Sequence, residues 1–507
     1  MPTTSPETAA PRPFPQVADT AAAQDVAAAG EKATPVAASE DARGSGLGLL
    51  GWTPILGAAV LAVALVRNGS GPITDPDTLW HLRAGQHLVQ TWQFSGPDPF
   101  SDFSLLPWVY TQWIPEVLAA AANHVAGLAG VAWLAHLGRL LVLATLLVIC
   151  RRQAAPLPAV LAAAAGFFAT TGSLGARPQL AGLVFLGISV GAWLATERDG
   201  RVRWWLVPLT WVWAMSHGTW LLGFALGGLV VVGLALDRRV SLRQAARLAL
   251  VPLLALVAAA STPVGPALLG SSFAVSAVST YIQEWQSASI TDAPVAAAMG
   301  MVLLLAACWA KGTVSISWTR LGLFAFALVS ALLYARTVAV AGIVLAPLLA
   351  AALQTLVGAS DRAASRIERM VVGGAFVLSL VAAALILPHT ASGTGNVPHR
   401  LDRTLAALPR GTVVWNADAL GGWLMWDHPN VSQTMDTRAE VYGPTYVDAY
   451  VRAMMGLPGW ETTLDATHAR YALIGTDTAL RSALAHERGW VDLGSDEGYT
   501  LLRSPSS

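Results

Sequence analysis

Residues 131–150 read VAWLAHLGRLLVLATLLVIC, and this stretch decides the fold. It has the length and apolar character of a helix that crosses a bilayer, which takes about 20 residues to cover roughly 30 Å of hydrocarbon. His136 and Arg139 are the two titratable groups with basic character inside it. Such side chains need buried partners within a membrane, and a structural role is expected for both.

Ten further apolar runs occur along the chain, several of them shorter than this one. They lie at approximately 49–66, 157–172, 179–196, 204–216, 219–236, 248–261, 294–310, 319–335, 338–356 and 371–388. The composition agrees, because 54% of the residues are hydrophobic and 12% are charged, whereas soluble domains carry roughly a quarter charged residues. The sequence therefore predicts a mainly α fold, a polytopic transmembrane helical bundle of about 11 spans.

The basic residues predict how this bundle is oriented. Lys and Arg concentrate in the cytoplasmic loops of membrane proteins. Alternate loops of this chain hold Arg151, Arg152, Arg198, Arg201, Arg203, Arg238, Arg239, Arg243, Arg247, Lys311, Arg320, Arg362, Arg366 and Arg369. The opposite side holds Arg67, Arg83, Arg177 and Arg336. With an odd number of spans, the N-terminus is predicted in the cytoplasm and everything after Leu387 outside it.

The chain divides into three predicted parts. Residues 1–45 are rich in Ala, Pro and Thr, which predicts a disordered cytoplasmic tail. Residues 46–388 form the transmembrane part, with long outer loops at 67–130 and 262–293. Residues 389–507 are more polar and alternate short strands with helices, which predicts a small extracytoplasmic α/β domain. Within the first outer loop, a helix near the membrane interface is predicted from Pro115. Trp415, Trp423 and Trp426 are expected to form the core of the last domain, and the alternative is that they form a platform that binds a sugar.

The carboxylates are distributed unevenly. No Asp or Glu lies within a predicted span, although ion-coupled transporters usually place acidic groups at mid-membrane. The first outer loop holds Asp75, Asp77, Asp98 and Asp102, with Glu116 just beyond. This distribution favours a site at the outer membrane face. A formal net charge of zero disfavours a nucleic-acid partner, which needs a basic surface.

The densest motif is the string DPDTLWHLR, which begins at Asp75. In an extended segment, Asp75 and Asp77 would point to the same side, about 6–7 Å apart. Two such carboxylates can flank a divalent cation such as Mg²⁺ or Mn²⁺, or one can take a proton while the other binds the cation. His81 and Arg83 follow at helical spacing and can meet a phosphate. Alternatively, the loop only caps a helix, with Asp77 or Thr78 as the N-cap.

Four more polar residues at the predicted outer face are candidates for substrate binding. Arg177 and Arg336 can clamp a phosphate with a bidentate guanidinium, or they can anchor their helices at the interface. His217 can line the site or cap its helix. Glu284, between aromatic residues, can contact the acceptor or a second metal ion.

The string DPDTLWHLR resembles the acidic motif after the first span of C-type membrane glycosyltransferases, which use polyprenyl-phosphate-linked sugars. Further similar strings follow in order: DPFS (98–101), Trp108, QWIPE (112–116), ARPQ (176–179), SHG (216–218), EWQ (284–286), NADALGGWLMW (416–426) and DTRA (436–439). The resemblance covers residues 50–503 and is to a bacterial branch of this superfamily, distantly similar to oligosaccharyltransferase catalytic subunits.

The resemblance implies an enzyme of the bacterial plasma membrane that moves a sugar from a polyprenyl-phosphate-linked donor to an outer acceptor, with inversion. Asp75 or Asp77 would be the base. The candidate substrate-binding residues are His81, Arg83, Glu116, Arg177, His217, Glu284 and Arg336. The peptide-binding string WWDYG of oligosaccharyltransferases is absent from the sequence, which disfavours asparagine glycosylation and favours a glycan, lipid or protein hydroxyl as acceptor. The alternatives are a non-catalytic membrane protein that binds polyprenyl lipid or glycan, and a transporter of lipid-linked sugars.

Overall fold

A computed structural model describes residues 49–274, 285–312, 316–357 and 365–505. Its N-terminal and central part is helical. The helices are α1 (Leu49–Gly69), α2 (Pro76–Thr91), α3 (Trp113–Arg151), α4 (Pro156–Ala169), α5 (Gln179–Asp199), α6 (Leu206–Ala214), α7 (Trp220–Leu236), α8 (Leu242–Ala260), α9 (Ala267–Ala274), α10 (Ala293–Ala310), α11 (Trp318–Leu333), α12 (Val338–Val357) and α13 (Arg366–Thr390). A short hairpin of β1 (Ser95–Gly96) and β2 (Trp108–Val109) lies in the first outer loop.

The predicted polytopic bundle is confirmed. Within the described residues, six helices are long and apolar enough to cross a membrane, and four more are apolar over 10–17 residues. With α6, these helices coincide with the predicted spans. The span predicted at 204–216 is a helix of only 9 residues, since the chain turns at Met215 and begins α7 at Trp220.

Helix α3 combines the predicted interface helix with the first-quoted span. It has 39 residues and a break at Ala126 (φ −140°) and Gly127 (φ 61°). Glycine adopts a positive φ at little cost, so the chain can change direction at Gly127 and continue as a helix on both sides of the break. The segment before the break packs on α2, and the segment after it enters the bundle.

Small residues let the central helices approach closely. Fourteen of the 20 residues of α12 are buried, and its closest partner is α4. A Cβ on Gly166 would lie 2.8 Å from the Cβ of Ala346 and 2.9 Å from the carbonyl oxygen of Gly342. Close backbone contact of this kind is how membrane helices gain packing energy when lipid is as apolar as the helix surface. In contrast, α13 exposes apolar side chains such as Val377 and Leu385, as a lipid-facing helix does.

The C-terminal region contains a mixed five-stranded sheet. Its strands are β3 (Thr412–Asn416), β4 (Val431–Gln433), β5 (Tyr471–Gly475), β6 (Val491–Asp496) and β7 (Tyr499–Arg503), in the order β4-β3-β5-β7-β6. The first three are parallel, and β7 is antiparallel to both β5 and β6. The helices around it are α14 (Asp402–Ala406), α15 (Gly421–Asp427), α16 (Ala439–Met454), α17 (Trp460–Ala466) and α18 (Ala479–Glu487). Trp415 and Trp423 are fully buried in its core, and Trp426 is half-buried.

This sheet region lies against the first outer loop. Helix α15 packs on α2, and a Cβ on Gly422 would come within 2.7 Å of the carbonyl oxygen of Pro76, so this approach depends on glycine. Ser432 Oγ donates to Asp102 Oδ2 (2.7 Å), and Gln433 Nε2 donates to the carbonyl oxygen of Phe100 (2.7 Å). The domain boundary at residue 389 and the independent folding of residues 389–507 stay predictions.

Candidate active site

The DPDTLWHLR motif forms the start of α2. Asp75 is the N-cap: its backbone is extended (φ −76°, ψ 120°) and its Oδ1 accepts from the amide of Asp77 (3.0 Å). The prediction of an extended segment through Asp77 is wrong, and so is the assignment of the cap to Asp77 or Thr78. Proline suits the first helical position and forces an extended conformation on the residue before it, so the helix begins at Pro76.

Arg177 holds the two carboxylates together despite this different geometry. Its Nη1 donates to Asp77 Oδ2 (2.6 Å), and its Nε lies 2.9 Å from Asp75 Oδ2 as an ion pair. Arg177 reaches them from the turn between α4 and α5. A side chain on Gly175 in this turn would overlap Asp75 Oδ2, so the close approach of the turn to α2 requires glycine there.

The C-terminal region supplies a further hydrogen-bond partner of Asp77. Thr437 Oγ1 donates to Asp77 Oδ1 (2.5 Å) and accepts from Trp80 Nε1 (3.0 Å). Burial by itself would raise the pKa of Asp77, but the charge of Arg177 and the hydrogen bond from Thr437 outweigh it, and the pKa lies below its usual value. For Asp75 burial dominates over Arg177, and the neighbouring charge of Asp77 adds to it, so the pKa of Asp75 is raised. Asp77 is therefore held as the anion.

His81 and Glu116 form a buried pair next to these carboxylates. His81 Nδ1 lies 2.8 Å from Glu116 Oε1, and both side chains are less than a tenth exposed. The ring of Trp80 lies over His81 with 3.5 Å between centroids. Glu116 Oε2 has no hydrogen-bond partner among the described residues. Sequence analysis selected both residues but not their contact with each other.

A cavity of about 550 Å³ opens beside this cluster. Its lining is mainly apolar and comes from the first outer loop, the starts of α5, α7, α9 and α12, and the start of α16. The polar side chains in it include Gln179, His217, Arg336 and Glu440. Gln179 in this lining is two residues beyond Arg177, but Asp75, Asp77 and Arg177 do not themselves line the cavity. Its volume lies within the roughly 300–1,000 Å³ typical of ligand sites.

His217 and Arg336 meet at the cavity wall. Arg336 Nη2 lies 3.3 Å from His217 Nε2, and its guanidinium is 5.9 Å from the ring centroid of Trp285. His217 Nδ1 is 3.0 Å from Thr219 Oγ1. Burial, with the charge of Arg336 as a second cause, holds the pKa of His217 well below its usual value, so the imidazole is neutral. The structure thus places a guanidinium and a neutral imidazole on one apolar wall.

One candidate lies elsewhere. Arg83 Nη1 donates to Gln86 Oε1 (3.4 Å), a neighbour on its own helix, and the structure does not bring it to Asp75 or Asp77. Glu284 lies outside the described residues.

The residues that sequence analysis missed come from the C-terminal region. Thr437 contacts Asp77 directly, and Glu440 lines the cavity. Burial is the main cause that raises the pKa of Glu440, and the negative charges of Asp436 and Asp77 add to it. The DTRA string ends one residue before Glu440 and contains Thr437, so the motif was a signal, but its distance of about 360 residues along the chain from Asp77 concealed the contact.

The fit of a divalent cation to Asp75 and Asp77 can be judged from their partners. Arg177 already pairs with both carboxylates, and no group of three or more His, Cys, Asp or Glu side chains in the described residues is placed to hold a metal ion. Two carboxylates that share a guanidinium do not form a typical oxygen cage for Mg²⁺ or Mn²⁺. The structure does not fit the predicted metal role of these residues, and no step below is routed through a metal.

No protein-family model matches the sequence, and no curated protein matches it. Solved structures do match. The apo oligosaccharyltransferase of Archaeoglobus fulgidus aligns with a TM-score of 0.53 and 12% identity over 84% of this chain and 69% of that chain. Archaeal AglB from the same organism, in complex with an inhibitory peptide and a dolichol-phosphate, aligns with a TM-score of 0.50 and 11% identity over the same shares. ArnT from Cupriavidus metallidurans, in the apo state, aligns with a TM-score of 0.50 and 15% identity over 89% of this chain and 98% of that chain.

These likenesses define the class of fold. The chain shares the fold of the archaeal oligosaccharyltransferase and of ArnT, and a fold similar to oligosaccharyltransferase catalytic subunits is what the resemblance of its motifs predicted.

Proposed function

We propose that this protein is a membrane glycosyltransferase that moves a sugar from a polyprenyl-phosphate-linked donor to a hydroxyl of a glycan, lipid or protein outside the cytoplasm. The observation that carries the proposal is Asp77, held anionic by Arg177 and Thr437 beside a largely apolar cavity. A bacterial plasma membrane location, with the N-terminus inside and residues 389–507 outside, belongs to the same proposal.

The cavity suits a donor that is part lipid and part phosphate. Its apolar wall can pack against the first isoprene units, and Arg336 can bind the phosphate through two parallel hydrogen bonds. The neutral His217 beside it accepts from Arg336 through Nε2 and so holds the guanidinium at the cavity wall. The dolichol-phosphate in the AglB complex supports a lipid phosphate as the ligand class. Arg177 is paired with the two carboxylates, so its predicted contact with phosphate stays a prediction.

The proposed reaction is a single displacement. Asp77 takes the proton of the acceptor hydroxyl, and the hydroxyl oxygen bonds to the anomeric carbon from the side opposite the phosphate. The bond between that carbon and the phosphate oxygen breaks, and polyprenyl phosphate leaves with the electron pair and an added negative charge. Arg336 stabilises this charge more strongly in the transition state than in the bound donor, which is what accelerates a reaction.

We assign the base to Asp77, although the sequence left Asp75 and Asp77 equivalent. The two carboxylates share Arg177 but differ in their other partner: Oδ1 of Asp75 caps its own helix α2, whereas Oδ1 of Asp77 accepts from Thr437. Asp77 instead faces the C-terminal region, where Glu440 reaches the cavity. The buried pair of His81 and Glu116 joins α2 to α3.

A non-catalytic protein that binds polyprenyl lipid is the second candidate. The observation in its favour is the pairing of both carboxylates with one arginine, which is also the pattern of a structural bridge. Such a protein would keep the cavity and its phosphate ligand but would not need the proton acceptor.

The experiment compares cell-envelope glycans and lipid-linked sugars by mass spectrometry in cells with and without this protein. Deletion should remove one glycan and accumulate its lipid-linked donor. Re-expression of Asp77→Asn should fail to restore the glycan, because general-base catalysis contributes about 10²–10⁴-fold. Asp465→Asn, which alters an exposed ion pair with Arg488, is the matched control and should restore it. If Asp75→Asn and Asp77→Asn, both correctly inserted, restore the glycan, the binding protein is the better interpretation.

A further inference from the structure

The segment 436–438 of the C-terminal region is locked onto the first outer loop by a buried arginine. Arg438 Nη1 and Nη2 donate to the two oxygens of Asp98 (2.7 and 3.1 Å), and Nε and Nη2 donate to Asp436 (3.0 and 2.7 Å). Tyr442 Oη donates to Asp436 Oδ2 (2.8 Å). The side chains of Asp98, Asp436 and Arg438 are completely buried. This buried ion-pair cluster, the lock at Arg438, therefore fixes the position of segment 436–438.

Thr437 lies in the middle of this locked segment, and its hydroxyl points at the proposed base. It donates to Asp77 Oδ1 and accepts from Trp80 Nε1, so its own orientation is fixed from both sides. Arg177 holds the other oxygen, Asp77 Oδ2. The Asp77 carboxylate therefore accepts from the C-terminal region at Oδ1 and from the turn before α5 at Oδ2.

Attachment of the two regions does not need this contact. Ser432 to Asp102, Gln433 to Phe100 and the amides of Leu105 and Leu106 to the carbonyl oxygen of Val441 already join them. A hydroxyl that served only attachment would have no reason to end on a carboxylate that a guanidinium also holds. The contact fixes the plane of the Asp77 carboxylate, and that plane decides which lone pair faces the acceptor.

We propose that Thr437 is a positioning residue of the transfer reaction, and that the C-terminal region is thereby a working part of the catalytic site. The lock at Arg438 sets the place of Thr437, and Thr437 sets the rotation of the Asp77 carboxylate. This inference rests on the proposed function, because it takes Asp77 as the base. It goes beyond the proposed function, which gives the C-terminal region no part in the transfer step.

The test uses Thr437→Val, which keeps the shape and removes the hydroxyl, and Thr437→Ser, which keeps the hydroxyl. Thr463→Val is the matched control, because the hydroxyl of Thr463 makes an exposed hydrogen bond to the carbonyl oxygen of Gly459 at the start of α17. Each full-length variant is expressed in the deletion strain, and formation of the missing glycan is timed in spheroplasts, whose outer face carries endogenous donor and acceptor. Affinity for undecaprenyl phosphate and the melting temperature are measured on purified protein in detergent.

Thr437→Val should lower the transfer rate by about 10- to 100-fold, as expected for a misplaced catalytic group. Its affinity for undecaprenyl phosphate and its melting temperature should match those of Thr463→Val, and Thr437→Ser should restore most of the rate. If Thr437→Val fails to insert, Thr437→Ala carries the same test, because it also lacks the hydroxyl.

Two results would overturn the inference. One is a full rate in Thr437→Val while Asp77→Asn is inactive, which leaves the proposed function intact. The other is a loss of rate that follows a loss of stability and that serine does not rescue. An active Asp77→Asn, in contrast, contradicts the proposed function itself, whatever Thr437 does.

Discussion

Helix α5 carries an arginine–carboxylate cluster at each end, and the two clusters differ in what lies beside them. Arg177, just before its start, pairs with Asp75 and Asp77. Glu197, in its last turn, pairs with Arg320 (3.2 Å) and Arg239 (3.5 Å). The Arg177 end adjoins a cavity of about 550 Å³, whereas the Glu197 end adjoins one of about 10 Å³.

The smaller space holds about one water molecule at most. Glu197 therefore has room only for its own partners, and its cluster joins the ends of α5 and α11 at the predicted cytoplasmic face. A second pair at this face, Arg151 Nε to Glu368 Oε1 (2.6 Å), joins α3 to α13 in the same way. A buried ion pair by itself does not indicate function; a pair with space for a ligand next to it does.

The largest expected effect comes from the membrane orientation of the two ends of α5, because a topology reporter is either active or inactive. A reporter enzyme fused after Ser507 should be active only if it folds outside the cytoplasm. The positive charge near the Glu197 end supports this, since cytoplasmic loops retain Lys and Arg. Activity of a cytoplasm-specific reporter at the same position would reverse the assignment of the two clusters.

The second contrast removes one carboxylate charge at each end. Asp77→Asn should lower transfer by about 10²–10⁴-fold, because it removes a proton acceptor. Glu197→Gln should leave transfer nearly unchanged and cost about 1–3 kcal/mol of stability, because Arg239 and Arg320 lose their charged partner. Transfer rates and melting temperatures of the purified variants measure both. Equal losses of transfer in the two variants would remove the distinction between the clusters.

The third prediction concerns the cavity wall. Arg336→Ala should weaken binding of undecaprenyl phosphate by about 10- to 100-fold, as loss of a hydrogen bond to a charged group does. Arg336→Lys should weaken it less, because a point charge remains but the bidentate fork is lost. Arg400→Ala, at an exposed surface pair with Asp496, is the control. Unchanged affinity in both Arg336 variants would make Arg336 an interfacial anchor like any other.

The smallest effect is a shift of the pH profile. Arg177 lowers the pKa of Asp77, so Arg177→Gln should raise that pKa and leave the base protonated over a wider acidic range. The acidic limb of the transfer rate should move to higher pH, and the rate at alkaline pH should change less. Arg320→Gln, at the other end of α5, should leave the limb in place. A parallel loss at every pH would indicate disruption of the site instead.

Much of the candidate site could be predicted from local sequence. The apolar runs gave the helices, and the string around Asp75 marked the outer site, because both signals lie within a few turns of chain. The same string gave the wrong local geometry. Pro76 is compatible with an extended segment and with a helix start, and in the structure Asp75 caps a helix that begins at Pro76. Arg177 and Arg336 were indistinguishable by sequence, since both precede a helix on the sparsely charged side.

The sequence by itself determined that this is a polytopic helical membrane protein, and it predicted that carboxylates concentrate at one face. Both follow from local properties, because each helix must match the bilayer through its own length and polarity. Tertiary structure alone decided which charges meet. Arg177 pairs with Asp75 and Asp77 while Arg336 turns to His217, and Thr437 reaches Asp77 from the far end of the chain. Such contacts depend on the angles at which helices pack and on how the C-terminal region packs against α2. No short stretch of residues determines either.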